Sequence, residues 1–327
     1  MFNADLIEDL ATKRVVLFIG SGVSASGVTR TGSRIRQWHS FLEFANSRLG
    51  DEARQQLVKA YLEEKNYLFA AEVIKNSSSS TDWAQLIHEE FGQIADPTDL
   101  HRAIISLDQR IILTTNFDKL LENAWADPSA RVTHFPQVIT KLETSAFKIL
   151  RESGSYLVKL HGTVDDPESI IFTQSDYTKH AYINWAYSSF IETLLTTYTV
   201  LFIGFSMNDP ALSRLVEMHA QRYPLCRPHY IFTAAPIHDT VKEINRSLRR
   251  LYVMEYSSEN HHSQLIDLIK ELGLQSQAKR RENIANTNKE ISEPPIEPMV
   301  DAESASLSPS DNEGHSAGGC LLSNVNQ

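Results

Sequence analysis

The stretch that decides the fold is Val15–Gly27, which reads VVLFIGSGVSASG. Its first five residues are all apolar, which is typical of a strand that is buried on both faces of a parallel sheet. The residues that follow fit the dinucleotide-binding pattern G-x-G-x-x-G/A, with Ala25 in the last position. Small residues at such a turn let the backbone approach a phosphate closely. An ordinary glycine-serine turn after a strand would have the same composition and remains an alternative.

Similar apolar runs and helical patterns follow along the rest of the chain. Short apolar runs that we interpret as strands lie at 111–113, 156–158, 200–203, 230–232 and 251–254. Helical patterns lie at 36–49, 52–75, 82–92, 98–107, 117–126, 176–198, 209–222, 237–249 and 261–272. This alternation predicts an α/β fold with a doubly wound, mostly parallel sheet. Ligands bind such sheets outside the carboxyl ends of the strands, so the residues directly after each run are the candidates for a site.

Composition limits the functions that the chain can have. Among 327 residues, 42% are hydrophobic and 22% are charged, as in globular proteins. The formal net charge of −10 argues against a protein whose main task is to coat nucleic acid or an anionic membrane. We therefore expect neither membrane association nor direct sequence-specific binding of nucleic acid. Acidic residues near the N-terminus and the lack of an apolar run near 18 residues lead us to expect a cytoplasmic protein.

Two features of the composition bear on metals and on domain boundaries. The cysteines are Cys226 and Cys320 alone, so the chain cannot build a four-thiolate zinc site, and we expect no metal. Residues 275–327 contain no aromatic residue and more acids than bases. Such a composition is typical of a disordered acidic tail, which places the folded domain at 1–274.

Three more strand ends carry polar residues. They are Thr114–Asp118, Lys159–Gly162 and Gly204–Pro210. Each has a structural alternative, because Asn116, Asp118 and Asp209 all belong to types that cap helix N-termini. A conventional NAD dehydrogenase would need an acid at a strand end about 20 residues after the loop, and Glu43 lies instead in a helical pattern. That class of enzyme is therefore disfavoured.

Taken in order, these four strand ends resemble the motifs of the sirtuin superfamily. Gly20–Ser24 is similar to the sirtuin G-A-G-x-S loop, and Thr114–Asp118 is similar to T-Q-N-x-D. Leu160–Gly162 matches the sirtuin histidine motif, and Gly204–Ser206 matches the late G-T-S loop. The resemblance spans roughly residues 12–255 and implies a Rossmann-like core.

Departures from the family pattern narrow what the resemblance implies. The chain lacks the four cysteines of the sirtuin zinc module, and Val28–Arg34 stands where P-D-F-R is usual. What remains resembles the zinc-free prokaryotic sirtuin-like NADases of antiphage defence. The resemblance implies that residues 36–107 form a helical subdomain.

The resemblance also implies roles for individual residues. Cleavage of the nicotinamide–ribose bond releases a neutral base, so the barrier lies in the oxocarbenium-like ribose. The implied catalytic residues are Asn116, which would orient the ribose hydroxyls or water, and His161, which would act as the general base. The implied nucleotide-binding residues are Gly20, Ser21, Gly22, Val23, Ser24, Asp118, Gly204 and Ser206.

The function that this resemblance implies is an NAD hydrolase that yields nicotinamide and ADP-ribose. It would be the gated toxic effector of an abortive-infection system, silent until a separate sensor protein or homo-oligomer formation activates it. Segment 28–35 or the helices within 36–107 would then close the cleft. Two alternatives remain open: a zinc-free deacylase or ADP-ribosyltransferase, and a non-catalytic module that senses NAD or ADP-ribose.

Overall fold

The computed structural model describes residues 2–27, 32–92, 96–128 and 135–292, and side chains up to residue 289. Within these ranges seven strands form one sheet in the order β3-β4-β2-β1-β5-β6-β7, and every pairing is parallel. The strands are β1 Val15–Ile19, β2 Ile111–Thr114, β3 Gln137–Ile139, β4 Tyr156–Lys159, β5 Thr199–Ile203, β6 His229–Ala235 and β7 Leu251–Ser257. The predicted parallel α/β fold is confirmed. Only β3 was not predicted, and it is a three-residue, largely exposed edge strand without an apolar run.

Helices connect most of the strands. They are α1 Ala4–Ala11, α2 Ser21–Ser24, α3 Trp38–Ser47, α4 Glu52–Glu63, α5 Tyr67–Ser77, α6 Ser80–Phe91, α7 Asp99–Ser106, α8 Leu120–Ala126, α9 Gln174–Tyr177, α10 Trp185–Thr197, α11 Pro210–Arg222, α12 Asp239–Arg249 and α13 Glu259–Ser292. A π-helical turn, Thr178–Tyr182, lies between α9 and α10. None of the described helices is both long and apolar enough to cross a bilayer.

The sheet is covered on both faces, as uninterrupted apolar strands require. In β1, the side chains of Val15, Leu17 and Ile19 pack with α1, α7, α8 and α13. The alternate residues Val16 and Phe18 pack on the opposite face with α10 and α11. Every residue of β1 is thereby buried.

The order of the strands places a ligand cleft at β1 and β5. From β1 the chain continues to β2 on one side, whereas from β5 it continues to β6 and β7 on the other. The two strands are paired in register from Val15↔Thr199 to Ile19↔Ile203. The loops after β1 and β5 therefore leave the sheet side by side at the point where the strand order reverses, which is where open α/β sheets bind ligands.

Helices α3 to α6 form a separate helical cluster with its own core. Residues of these helices pack together around Phe41, Ile74 and Trp83. Two loops of the sheet domain join this core, through Phe117 after β2 and Phe172 after β4. Helix α7 packs instead with the sheet core through Ile104 and its neighbours. The implied helical subdomain 36–107 is therefore too long at its C-terminal end, because α7 faces the sheet.

Two long predicted helices are interrupted. The 52–75 pattern splits into α4 and α5 because Lys65 takes a left-handed conformation with φ of 57°. The 176–198 pattern splits at Asn184, whose side chain caps α10 by accepting a hydrogen bond from the Ala186 amide. Periodicity alone does not distinguish a short break from a continuous helix.

The expected domain boundary at 274 falls inside α13, so this expectation was wrong. Ser276 is buried, and Arg280 donates to the Ala11 carbonyl at 3.0 Å and pairs with Asp108 at 2.9 Å. The first compact unit extends to Ala285, and a second unit begins at Asn286. Polar contacts hold this part of α13, so its lack of aromatic residues did not predict disorder. Residues 293–327 of the expected tail lie outside the described residues.

Candidate functional site

The glycine loop after β1 lies directly against the loop after β5. Gly20 donates its amide to the Ile203 carbonyl at 3.0 Å, and Gly22 donates to the Gly204 carbonyl at 2.9 Å. A Cβ atom on Gly20 would lie 2.4 Å from the Gly204 carbonyl oxygen. Gly204 has a φ of +63°, and a Cβ there would lie 2.6 Å from the Val23 amide nitrogen. Side chains are excluded from this contact on both sides.

Asn116 is held between the glycine loop and strand β2. Its Nδ2 donates to the Gly20 carbonyl at 3.0 Å and to Ser24 Oγ at 2.7 Å. Its backbone amide donates to Thr114 Oγ1 at 3.0 Å, and that hydroxyl donates in turn to the Ile19 carbonyl. Since both hydrogens of the amide group are used, Oδ1 is the side-chain atom left to accept a hydrogen bond from a ligand.

Asp118 completes this polar cluster. One carboxylate oxygen accepts a hydrogen bond from Ser24 Oγ at 2.6 Å, and the other caps the turn before α8 by accepting from the Leu120 amide at 2.9 Å. Asp118 therefore both caps the helix start, as the sequence allowed, and belongs to the polar cluster.

A buried lysine supports the loop that carries Asn116. Lys159 Nζ donates to the carbonyls of Phe117 and Asp118, at 3.1 and 2.6 Å, and to Glu122 Oε1 at 2.8 Å. Its side chain is 0% exposed, so all three ammonium hydrogens are used inside the protein. Sequence reasoning missed Lys159, although a lysine that ends a buried apolar run was a signal for such a role.

His161 lies in a second cluster, which is aromatic and acidic. Its Nε2 lies 3.4 Å from the Tyr187 hydroxyl and 3.5 Å from Asp209 Oδ2. The ring of Tyr177 packs edge-on against the imidazole, and the Tyr177 hydroxyl donates to Asp209 Oδ2 at 2.7 Å. From the sequence we interpreted Asp209 as a helix cap and assigned no site role to Tyr177 or Tyr187, and so missed their contact with His161.

Burial determines the protonation state of His161. Desolvation lowers the pKa of His161 below its ordinary value, and the negative charge of Asp209 opposes this shift. Burial and the same carboxylate raise the pKa values of Tyr177 and Tyr187 well above 10. At neutral pH the cluster therefore holds a neutral imidazole between two protonated phenols, and a neutral imidazole can accept a proton.

The residues implied by the sequence occupy adjacent places in the fold. Ser24, Asn116 and Asp118 form one hydrogen-bonded cluster, which contacts Gly20, and Gly20, Gly22 and Val23 meet Gly204. His161 belongs to the second cluster, and among the described residues no hydrogen bond joins its side chain to Asn116. Ser21 and Ser206 are exposed, whereas Asn116 and His161 are 8% and 2% exposed.

The sequence comparisons agree with this architecture. Residues 110–260, which include the Asn116 and His161 loops, match the family model of a SIR2-like domain. Over 233 residues the chain is 27% identical to "NAD(+) hydrolase ThsA" of Enterococcus faecium, an alignment that covers 68% of this chain and 44% of that protein.

Two further relatives are similar at lower identity. "NAD(+) hydrolase ThsA" of Bacillus cereus is 24% identical over 68% of this chain and 43% of its own length. "Defense-associated sirtuin 2" of Bacillus subtilis is 24% identical over 70% of this chain and 22% of its own length. The chain thus spans less than half the length of these curated relatives.

Proposed function

We propose that the chain hydrolyses NAD at the bond between nicotinamide and ribose, on the premise that residues 110–260 match the family model of a SIR2-like domain. One observation carries the proposal. Asn116 and a neutral His161 follow adjacent parallel strands, β2 and β4, beside the glycine loop at the reversal of strand order. The relatives that are named NAD(+) hydrolases support the same activity.

The proposed reaction needs an acceptor and a base. The C1′–N bond breaks and its electron pair leaves with nicotinamide, which departs as a neutral molecule. The oxygen of water adds to C1′ of the oxocarbenium-like ribose, and the proton of that water passes to His161. The products are nicotinamide, ADP-ribose and one proton.

Asn116 has the geometry of a positioning group. Its amide nitrogen is fixed by Gly20 and Ser24, so its carboxamide oxygen has a defined direction. A fixed acceptor of this kind can orient a ribose hydroxyl or the attacking water near C1′.

The proposed nucleotide site lies along the loops after β1 and β5. Gly20 and Gly22 use their amides within the protein, so their contribution is to allow the close contact between the loops after β1 and β5 along which the pyrophosphate would lie. Ser21 is exposed and can donate its hydroxyl to a phosphate oxygen. Gly204 and Ser206 would border the adenosine half, and Val23, Ser24 and Asp118 would support the loop.

We further propose that the site is gated. Asn116 and His161 are almost fully buried, so NAD must gain access through a change in conformation. Phe117, which lies between Asn116 and Asp118, packs in the core of the helical cluster. Movement of α3 to α6 would therefore shift the catalytic loop. The other candidate gate is segment 28–35, and its residues 28–31 lie outside the described residues.

The names of the relatives support a proposal for the biological setting. A relative is named a defence-associated sirtuin, and we propose that this chain is likewise an antiphage effector that depletes NAD. Because an ungated enzyme of this kind would exhaust the cofactor of its own cell, a sensor protein or homo-oligomer formation would provide the trigger.

Product analysis tests the reaction. Purified chain is incubated with NAD, with and without an acyl-lysine peptide, and the products are separated by chromatography. We expect nicotinamide and ADP-ribose in equal amounts, independent of the peptide. Products that form only with the peptide would indicate a deacylase or transferase. Binding without products, even in long incubations at high protein concentration, would indicate a sensing module.

A cellular measurement tests the gate. The chain is expressed alone in bacteria, and NAD is followed over time beside the His161→Ala variant. We expect the NAD concentration to stay stable until the trigger is supplied. The trigger must favour the active state by roughly 5.5 kcal/mol to raise the active fraction from about 1% to about 99%. Rapid, His161-dependent loss of NAD without a trigger would contradict gating and support the chemistry.

A further inference from the structure

We propose that Asp209 is the positioning residue of His161, holding the proton of the neutral imidazole on Nε2 and leaving Nδ1 as the basic nitrogen. Asp209 lies in the loop after β5, three residues beyond Ser206, and its Oδ2 lies 3.5 Å from His161 Nε2. The role of Nδ1 in catalysis rests on the proposed function, whereas the pairing of Asp209 with His161 is a property of the folded chain.

The carboxylate of Asp209 is fixed before it meets the histidine. Oδ1 accepts a hydrogen bond from the Leu212 amide at 2.8 Å, which caps α11, and Oδ2 accepts one from the Tyr177 hydroxyl at 2.7 Å. The side chain is 10% exposed. Two donors from two different helices, one on each oxygen, therefore fix the carboxylate with Oδ2 near the imidazole.

The surroundings of Nε2 favour a proton on that nitrogen. An ionised carboxylate is an acceptor only, so the contact with Asp209 Oδ2 is favourable when Nε2 carries the hydrogen. The other neighbour is the Tyr187 hydroxyl, at 3.4 Å, and a hydroxyl can accept from the same N–H. Among the described residues, the polar side chains in contact with the imidazole are Asp209, Tyr177 and Tyr187, and Asp209 is the acidic one.

The consequence for the reaction follows from the tautomer. In the proposed hydrolysis the lone pair on Nδ1 accepts the proton of the attacking water as the O–C1′ bond forms. The resulting imidazolium carries its positive charge beside the Asp209 carboxylate, which stabilises it in the buried site. The arrangement is analogous to a histidine base oriented by a buried carboxylate.

The tautomer is measurable without NAD. The full chain is labelled with ¹⁵N-histidine, the His161 signal is assigned by its loss in His161→Gln, and the protonated ring nitrogen is identified from the ¹⁵N shifts at neutral pH. We expect the hydrogen on Nε2. In Asp209→Asn the single carboxamide oxygen can keep the hydrogen bond from the Leu212 amide, and the amide NH2 then stands where Oδ2 faced Tyr177 and Nε2. Because that NH2 donates, we expect a shift of the population toward Nδ1–H.

The control makes the same change at a different helix N-terminus. Asp51 caps α4 by accepting from the amides of Ala53 and Arg54, far along the chain from His161, and Asp51→Asn should leave the His161 signal unchanged. A hydrogen on Nδ1 in the unaltered chain would overturn the proposal, because Nε2 would then accept from Tyr187. An unchanged His161 tautomer in folded Asp209→Asn would overturn it as well.

Activity provides the second measurement. We expect Asp209→Asn to lower kcat at least about tenfold, with little change in KM. The loss should not exceed the ~10²–10⁴-fold that the general base itself contributes. The acid limb of its pH profile should move to lower pH, since the charge that raises the pKa of His161 is removed. An unaltered kcat in Asp209→Asn would overturn the positioning role. An Nε2–H tautomer in a chain that never cleaves NAD would instead refute the proposed function and leave the pairing intact.

Discussion

Ser24 Oγ accepts a hydrogen bond from Asn116 Nδ2 at 2.7 Å and thereby joins the loop after β1 to the loop after β2. The same hydroxyl donates to Asp118 Oδ2 at 2.6 Å, so one serine side chain connects the amide and the carboxylate of the candidate site. The serine is 5% exposed, and its partners are 8% and 7% exposed. The direction of the Asn116 carboxamide therefore depends on a residue of the glycine loop.

Replacing Ser24 with alanine should disturb catalysis through Asn116. The change leaves a donor of Asn116 and an acceptor of Asp118 without their partner, which costs about 1–3 kcal/mol. Misplacement of a positioning group by about 1 Å costs roughly 10²-fold in rate, so we expect kcat to fall by up to that factor. Urea unfolding and steady-state kinetics measure the two effects. Ser40→Ala, which removes an exposed hydroxyl bonded to the Gln37 carbonyl, is the matched control.

Gly22→Ala should damage the contact between the loops after β1 and β5. The new Cβ would lie 2.9 Å from the Gly204 carbonyl oxygen, so backbone must move on at least one side. We expect a loss of about 1–3 kcal/mol in unfolding free energy, together with slower NAD cleavage. Gly50→Ala adds the same methyl group where no atom lies within 4 Å. Equal stabilities for the two variants would show that the contact is not close-packed.

Lys159→Met should destabilise the protein, because it removes the ammonium group that holds the loop after β2. It leaves Glu122, 17% exposed, without the ammonium group that bonds its Oε1, and two carbonyls without a donor. Breaking a buried ion pair from one side costs roughly 3–5 kcal/mol, and Lys159→Met combined with Glu122→Leu should recover part of that loss. Lys119→Met removes an exposed partner of Asp165 and should cost at most about 1 kcal/mol. Melting temperatures of these three variants and of the unaltered chain distinguish the outcomes.

Buried neutral histidines should make the fold sensitive to acid. Burial lowers the pKa of His101 from 6.5 to about 4, although the charge of Asp118 opposes the shift. Between pH 6.5 and about pH 4, His101 is protonated in the unfolded chain but neutral in the folded chain. The free energy of unfolding therefore decreases as the pH is lowered through this range. Between pH 7 and pH 5 this amounts to about 2 kcal/mol for His101. His101→Gln should lose that much less than the unaltered chain over the same interval. Equal losses in urea unfolding would place the proton on folded His101.

The sheet could be predicted because its strands are uninterrupted apolar runs. All six predicted runs form strands, and the glycine pattern at Gly20–Ala25 lies where β1 ends. The edge strand β3 has no such run, and Lys65 and Asn184 interrupt helices by local backbone geometry that periodicity does not record. The course of α13 past residue 274 depends on Arg280 reaching Ala11 and Asp108, which are distant in sequence.

The candidate site was predictable only in part. Asn116 and His161 stand out because they follow strands, and Asn116 does join Ser24 and Asp118. The partners of His161 come from α9, α10 and the loop after β5, where Tyr177, Tyr187 and Asp209 each have a plausible structural role. No spacing in a sequence indicates that three such residues converge on one imidazole.

The most direct measurement of the central claim is the rate at which the purified chain releases nicotinamide from NAD, compared with Asn116→Ala and His161→Ala. Long incubation at high protein concentration is needed, because a gated enzyme with about 1% active molecules works at about one hundredth of its full rate. We expect release by the unaltered chain and a loss of ~10²–10⁴-fold in each variant, with circular dichroism and melting temperature retained. Equal release by the unaltered chain and by folded His161→Ala and Asn116→Ala would contradict the assignment of these two residues as the NAD-cleaving site.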